Sequence, residues 1–399
     1  MTKYPQIAFT EIAILIRGVS YDKSVSSVTA KDDYIPILRA NNIQKDLILN
    51  DLVYVPSDLV KKEQMIREGD IVLAMSSGSK DLVGKSAQAN RDIDAAFGTF
   101  CGLIRAKENV DSKFLGLYFQ TQEYRNFVSY QSKGVNICNL KKKDIESLQI
   151  PLPPLPTQHQ IVSRIESLFA ELDKAVEHLR TAQQQLKTYR QAVLNHWLNN
   201  EDGKWEMVKL GEVAEIVTGN TPPKKDMSLY GNDYPFYKPS DLNAGINTIH
   251  SEDNVSIKGF NASRKLPNGS ILVTCIGATI GKTGLIHREG ICNQQINAIL
   301  PNDSFVPECL FYIVTSDSFQ RQIKSNASAT TLPILNKSKF SDLEFSLPPL
   351  ADQHRIVQEI ESRLSQAEAA EARIAEALQK TESLRQSILK KAFSGEFDL

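Results

Sequence analysis

The sequence predicts an α/β (α+β) chain with an internal repeat: two globular domains, each followed by a long helix, with the two helices packed together. Three observations predict this. One stretch of about 40 residues occurs twice without a gap. A heptad pattern of apolar residues runs through each copy. The segment before each copy alternates short β-rich runs with Gly, Asn, Ser and Asp loops.

The repeat is read directly. Leu152-Pro153-Pro154-Leu155, Gln158-His159, Ile161-Val162 and Ile165-Glu166-Ser167 return as Leu347-Pro348-Pro349-Leu350, Gln353-His354, Ile356-Val357 and Ile360-Glu361-Ser362, each 195 positions later. The same offset of 195 still holds where Tyr189-Arg190-Gln191-Ala192-Val193-Leu194 faces Leu384-Arg385-Gln386-Ser387-Ile388-Leu389. A solenoid unit is far shorter, about 20–50 residues, so this is a tandem duplication of a domain. The expected divisions are a globular segment 1–150, a helical spacer 151–204, a second globular segment 205–347 and a second spacer 348–399.

Each long element starts after a proline pair, which ends whatever precedes it. Thr157, with Gln160 three residues on, is the expected N-cap of the first helix, and Asp352 that of the second. The first apolar seam is Ile161, Ile165, Leu168, Leu172, Ala175, Leu179, Ala182, Leu186, Tyr189 and Val193. The second is Ile356, Ile360, Leu364, Ala367, Glu371, Ile374, Leu378, Thr381 and Ile388, weakened by a charge, a threonine and several alanines near the seam. Each helix should run for about 40 residues, or roughly 60 Å. Neither is a membrane span, because no apolar run reaches about 18 residues.

The globular segments share a plan. In the first, Ile12–Ile16 and Asp70–Met75 read as strands, the latter after Glu68-Gly69, and Lys113–Val128 reads as one helix. In the second, Val208–Val213 opens the domain, Thr218-Gly219-Asn220-Thr221-Pro222-Pro223 is a loop and Ser270–Thr274 is a strand after Asn268-Gly269. Pro307–Ile323 is the counterpart helix. Gly18 aligns with Gly219, and Gly69-Asp70-Ile71 with Gly269-Ser270-Ile271. The helices keep their sequence while the globular parts drift, as domains free to change specificity would, and as surface loops drift in any protein.

Composition is that of a globular protein, with 399 residues and a formal net charge of −1. Residues 1–150 carry 20 Lys and Arg against 18 Asp and Glu, and residues 205–347 carry 13 against 14. Neither domain has the overall basic footprint of a nucleic-acid binder, so DNA binding would rest on locally basic loops or on a partner. The five cysteines, at 101, 138, 275, 292 and 309, form no C-x-x-C pair. That argues against zinc and against a disulfide framework, and fits a reducing cytoplasm. No secretory signal is expected at the start.

Catalytic signatures are lacking. Gly277-Ala278-Thr279-Ile280-Gly281-Lys282-Thr283 follows a strand and resembles a phosphate-binding loop, which needs four residues between its glycines so that successive N–H groups form one anion nest. Here there are three, and in the matching stretch from Gly78 to Gly84-Lys85-Ser86 there are five. These read either as tight glycine turns that present Lys282 and Lys85 to a phosphate backbone or as purely structural turns. His159 and His354, equivalent in the repeat, read as packing or hydrogen-bonding residues of the first helical turn. The sequence contains no H-E-x-x-H, no G-x-S-x-G and no Asn-Pro-Pro-Tyr or Asp-Pro-Pro-Tyr adenine-methylation motif.

Over essentially its whole length the chain resembles the specificity (S) subunit of a type I restriction–modification system. The resemblance is carried by the repeated L-P-P-L-x-x-Q-H-x-I-V-x-x-I-E motif, Lys209-Leu210-Gly211-Glu212-Val213, Thr218-Gly219-Asn220-Thr221-Pro222, and Gly277-Ala278-Thr279-Ile280-Gly281-Lys282. The first half departs from it in lacking a Thr-Pro pair after Gly18. The resemblance implies a pseudo-twofold arrangement of two target recognition domains, each reading one half of a bipartite double-stranded DNA site. The helices would pair as an antiparallel coiled coil, set the spacing and dock two methyltransferase (M) subunits. Restriction/translocase (R) subunits would join them. S-adenosylmethionine, ATP and Mg are expected on those partners and no cofactor on this chain, which would be non-catalytic.

Under that reading, loop residues of suitable type are the DNA-binding candidates. In the first half they are Arg39, Asn41, Asn42, Lys80, Lys85, Lys133 and Asn136. In the second they are Asn220, Thr221, Lys224, Lys225, Lys238, Ser240, Lys282, Gln294, Gln295 and Ser325. Amide and basic side chains suit base edges in the major groove, and phosphate contacts hold register. The rival readings are a specificity subunit of a type IIB-like system, a coiled-coil scaffold that binds no DNA, and a phosphate-loop enzyme.

Overall fold

The computed structural model describes residues 3–77, 82–131, 138–200, 203–328 and 332–397. The chain divides into two compact units, one made of Met1–Leu179 with Glu376–Leu399 and the other of Arg180–Ala375.

In the first unit a four-stranded antiparallel sheet has the order Ala13–Arg17, Cys101–Ala106, Ile71–Ala74, Ser86–Gln88. A three-stranded sheet pairs Tyr34–Leu38 antiparallel with Val53–Pro56 and parallel with Ala96–Phe97. A two-stranded ribbon, Gln6–Ala8 with Gln149–Pro151, closes the chain ends of the domain onto each other.

The first unit has in addition the short antiparallel pair Ser76–Ser77 with Cys138–Asn139, and the second unit repeats the four-stranded sheet, the three-stranded sheet and the ribbon. Its four-stranded sheet is Ile216–Thr218, Ile296–Ile299, Ile271–Thr274, Thr283–Leu285. Its three-stranded sheet pairs Tyr230–Tyr237 antiparallel with Asp253–Val255 and parallel with Ile291–Cys292. Its ribbon is Glu206–Lys209 with Glu344–Leu347. The pairings are almost all antiparallel, so the class is α+β.

The long helices are Leu155–Leu198, 44 residues, and Leu350–Ser394, 45 residues. Both start before the expected caps Thr157 and Asp352. The carbonyl of Pro154 accepts from Thr157 and Gln158 at 2.9 and 3.1 Å, and that of Pro349 from Asp352 and Gln353 at 2.8 and 3.0 Å. Pro156 fits this earlier start, because a first-turn N–H has no helical partner anyway.

Within each unit the beginning of one long helix packs with the end of the other, so the pairing is antiparallel. In the first unit Ile161, Val162, Ile165, Leu389, Ala392 and Phe393 join the buried core of the globular body, and the rings of Phe114 and Phe393 lie 4.8 Å apart. In the second, Val193, Leu194, Ile356, Val357 and Ile360 do the same. Burial of such apolar area holds body and helices together.

The seam departs from its expected line at two places. Ala175 is exposed and Val176 takes its inward place, while Tyr189 is exposed. Glu371, the charge in the second seam, is held by Arg190 at 2.9 Å.

Both expected globular helices are broken into two. Ser112–Tyr118 is followed by Gln122–Gln131, and Pro307–Thr315 by Asp317–Asn326. At the first break the Thr121 hydroxyl donates to the Tyr118 carbonyl at 2.7 Å and accepts from Tyr124 N–H at 3.2 Å. At the second, Ser316 caps the following helix. Side-chain bonds of this kind compete with a continuous helix.

The repeated glutamine is a strut. Gln158 is buried; its Oε1 accepts from Asp111 N–H at 2.9 Å and its Nε2 donates to Pro153 O at 2.8 Å. Gln353, also buried, accepts from Val306 N–H at 2.7 Å and donates to Pro348 O at 2.8 Å. Asp111 and Val306 precede equivalent helices, so the motif ties each long helix to the same point of its domain.

Candidate nucleic-acid interface

A cleft of about 550 Å³ in the second unit gathers Thr221, Lys224, Lys238 and Gln294 with Met227, Tyr230, Phe236, Asp253 and Asn293. Four of the ten second-half candidates therefore meet at one place. They come from three separate loops, each set at the end of a strand.

The first loop leaves its strand at Gly219. A Cβ there would lie 2.2 Å from the Asn293 carbonyl oxygen, so only glycine fits. Asn220 N–H then donates to Cys292 O at 2.9 Å, and Asn220 Oδ1 accepts from Arg264 N–H at 2.9 Å. The Arg264 guanidinium in turn donates to Thr218 O. Asn220 thus clamps the loop. Beyond it, the Thr221 hydroxyl donates to Gln294 Oε1 at 2.6 Å and Tyr230 OH donates to Pro222 O at 2.7 Å.

Lys238 enters from the end of the Tyr230–Tyr237 strand. Its ammonium pairs with Asp253 and lies 5.5 Å from the centre of the Phe236 ring. Asn293 Nδ2 donates to Gln295 Oε1 at 3.0 Å, so Gln295 supports the third loop from behind. Lys225 and Ser240 are exposed nearby in sequence but do not line the cleft. Ser325 is also outside it, on the Asp317–Asn326 helix, with its hydroxyl on Gln322 O at 3.2 Å.

The first unit has the same frame with other side chains. A Cβ on Gly18 would lie 2.0 Å from Gly98 O, and Val19 N–H donates to Phe97 O at 2.7 Å, as Asn220 does to Cys292. Gly98 N–H donates to Leu38 O at 2.9 Å, as Asn293 N–H does to Tyr237 O at 3.1 Å. By this matching Arg39 is the counterpart of Lys238, and Asn42 of Asp241. Arg39 N–H bonds Asn42 Oδ1 at 2.9 Å and Lys238 N–H bonds Asp241 Oδ2 at 2.7 Å.

The Arg39 guanidinium is turned onto its own loop, 2.8 Å from Asp51 O and 3.2 Å from Asp51 Oδ2. Asn42 is a correction: it is buried, with its Nδ2 on Ile48 O and Asn50 O at 2.9 and 2.8 Å, so its amide is consumed in holding the loop and reads no base. Asn41 is exposed and linked through Gln44 to Lys85: Gln44 Nε2 donates to Asn41 O at 3.0 Å, and Lys85 Nζ donates to Gln44 Oε1 at 2.8 Å. Lys80, Lys133 and Asn136 lie outside the described residues.

Lys85 and Lys282 occupy the same turn. Thr274 N–H donates to Lys282 O, and Gly281 N–H to Thr274 O, both at 2.8 Å; Ala74, Lys85 and Gly84 form the same pair of bonds at 2.9 and 2.8 Å. Gly84 and Gly281 take φ of +74° and +87°. A strand follows each turn, not the helix that a phosphate loop requires. Lys282 Nζ donates to Asn243 Oδ1 at 2.8 Å, matching the Lys85–Gln44 contact.

Sequence reasoning missed Gln44, Met227, Tyr230, Asp253 and Arg264. No linear pattern marks them, because Gln44, Tyr230, Asp253 and Arg264 act through partners elsewhere in the sequence, and Met227 only lines the cleft. Burial pushes the thiols of Cys101, Cys275, Cys292 and Cys309 up to about 12, so they pack as neutral groups. His159 Nε2 lies 3.4 Å from Asp111 Oδ2.

A family model described as the type I restriction modification DNA specificity domain matches twice, over residues 8–179 and 202–380. The StySPI specificity subunit of Salmonella potsdam is 33% identical over 405 aligned positions, covering 96% of this chain and 87% of that protein. The EcoKI specificity subunit of Escherichia coli K12 is 33% identical over 411 positions with the same coverage, 96% and 87%. A chain from a structure of type I restriction–modification complex assembly superposes with a TM-score of 0.79 at 21% identity, covering 99% of this chain and 98% of that one. The HsdS subunit of Thermoanaerobacter tengcongensis gives 0.58 at 21% identity, covering 99% and 97%. Among the described residues no helix is long and apolar enough to cross a membrane.

Proposed function

The chain belongs to the type I restriction–modification DNA specificity family, and from that membership we propose that each globular unit reads one half of a bipartite double-stranded DNA target. The long helices set the distance between half-sites and dock two methyltransferase subunits. Restriction/translocase subunits join that assembly in the cytoplasm. The partners bring S-adenosylmethionine, ATP and Mg, and this chain supplies recognition without catalysis.

The observation that carries this reading is one loop frame built twice with different side chains. Gly18 and Gly219 hold the frames; the first carries Arg39, Asn41 and Lys85, and the second carries Thr221, Lys224, Lys238 and Gln294. Two unlike readers suit an asymmetric two-part site. Half-sites about 34–36 Å apart face one side of the duplex. Within each, phosphate contacts fix register and amides meet base edges. A net charge of −1 fits a chain that clamps DNA only in the assembled enzyme.

The test is a genome-wide map of N6-methyladenine in cells with and without the gene. Loss of methylation at one gapped, two-part motif is expected on deletion. An unchanged map, with the methyltransferase partner expressed, refutes the proposal.

A further inference from the structure

Most polar groups around the second-unit cleft are already committed. Tyr230 OH is spent on Pro222 O, and the Asn293 amide is bonded at both ends to Gln295, through Nδ2 at 3.0 Å and Oδ1 at 3.1 Å. The Lys238 ammonium and the Asp253 carboxylate neutralise each other. Lys224 Nζ and Gln294 Nε2 are left without a partner among the described residues. The Thr221 hydroxyl donates into Gln294 Oε1 at 2.6 Å. That bond engages one of the two lone pairs of the exposed amide's oxygen and leaves both Nε2 hydrogens unpaired among the described residues.

We propose that Thr221 positions Gln294 as a hydrogen-bond donor, and that this pair selects a guanine at one position of the half-site read by the second unit. The inference rests on the DNA-reading function proposed above. Guanine is the base whose major-groove edge offers two acceptors, N7 and O6. Adenine offers one acceptor and one donor, and a glutamine reads it by accepting with Oε1 while donating with Nε2. Thr221 takes one Oε1 lone pair and crowds the accepting side of the amide, while both Nε2 hydrogens stay open and the adjacent Lys224 adds a further donor, which weights the site towards acceptors on the base. Cytosine needs an acceptor, and Asp253 is held by Lys238.

At the matching positions the first unit has no such pair among the described residues. At the position matching Gln294 stands Thr99, whose hydroxyl donates to Val19 O at 2.9 Å. Guanine selection by this device therefore belongs to one half-site alone.

The experiment uses the full chain in its complex with the methyltransferase, acting on a library of randomised gapped targets. Exchange of residues 205–347 with those of a relative identifies the half-site that the second unit reads. The wild type is expected to require a G·C pair at one position there. Thr221→Val, which keeps the shape and removes the hydroxyl, should lower discrimination between G·C and A·T at that position by about tenfold. The first half-site should be unchanged, and Thr221→Ser should restore the wild-type preference. Gln294→Ala should lose the same position.

A second half-site with no G·C requirement, or a Thr221→Val preference identical to wild type, overturns the inference and leaves the DNA-reading function standing. Absence of any gapped target for the wild type overturns both. Equal thermal midpoints for wild type and Thr221→Val separate altered reading from altered folding.

Discussion

The two globular units share their main sheets, strand order and glutamine strut, and a lysine on the same turn, yet the loops at their strand ends carry different side chains at most other matched positions. Arg39 folds back on Asp51, whereas Lys238 pairs across to Asp253 on a neighbouring strand. Gly98 and Thr99 stand where Asn293 and Gln294 stand in the other unit. In the second unit Thr221, Lys224, Lys238 and Gln294 meet in one cleft, whereas in the first Gln44 links Asn41 to Lys85. The comparison teaches that the frame is set by backbone bonds and glycines, which tolerate any side chain that leaves them alone. Specificity can then change without disturbing the fold.

The largest expected effect breaks the comparison at its centre. Replacing residues 205–347 by those of a relative with another target should change one half of the methylated motif completely and leave the other half and the spacing intact. Methylome mapping reads this directly. A change in both halves would mean that the units do not read independently.

Next in size is the strut. Gln158→Ala and Gln353→Ala each strand two backbone groups, Asp111 N–H with Pro153 C=O and Val306 N–H with Pro348 C=O. At about 1–3 kcal/mol per unsatisfied buried group, each should destabilise its unit by roughly 2–5 kcal/mol in denaturant titrations. Similar losses would confirm that the motif does the same job twice. A loss confined to one substitution would show that the repeated motif hides different roles.

This strut also marks how far the sequence could be read. The repeat and the two long helices were legible because identical residues recur at one offset and because apolar periodicity has one structural meaning; their antiparallel pairing came from the family resemblance. The role of Gln158 was not legible, since its partner Asp111 is 47 residues away. The site was legible only in outline. Thr221, Lys224, Lys238 and Gln294 are loop residues of suitable chemistry, but their meeting depends on strand order. Asn42 has equally suitable chemistry and is buried, because a loop needs its own amide to satisfy its carbonyls. The helix breaks at Thr121 and Ser316 were missed for a related reason: apolar spacing continues through them while a hydroxyl ends the turn.

A smaller effect tests the two lysine turns. Lys85→Ala and Lys282→Ala should each weaken DNA binding of the methyltransferase complex on all sequences alike. The slope of log affinity against log salt should become less steep by about one unit for each phosphate that the lysine no longer neutralises. A change in sequence preference instead would move these lysines from backbone binding to base reading. An effect at one of the two only would make the turn asymmetric despite its identical backbone bonds.

The smallest effect compares one repeat position whose chemistry is opposite in the two units. Glu166 is paired with Lys113 at 2.7 Å, and that contact raises the lysine's pKa. Its counterpart Glu361 faces Glu308 instead, and burial and then that neighbouring charge raise its pKa. A carboxylate with a raised folded-state pKa favours folding when protonated and opposes it when charged, so its stabilising contribution is lost as pH rises through that pKa. Glu361→Gln should therefore stabilise the second unit at neutral pH, and the gain should vanish as pH falls through the Glu361 titration. Glu166→Gln should destabilise the first unit at neutral pH, since it removes an attraction that needs both groups charged. Both groups are largely solvated, so each change should be a few tenths of a kcal/mol, within reach of thermal unfolding compared at two pH values. Shifts of the same sign would mean that Glu308 is screened from Glu361, and the two positions would then be equivalent in charge as well as in sequence.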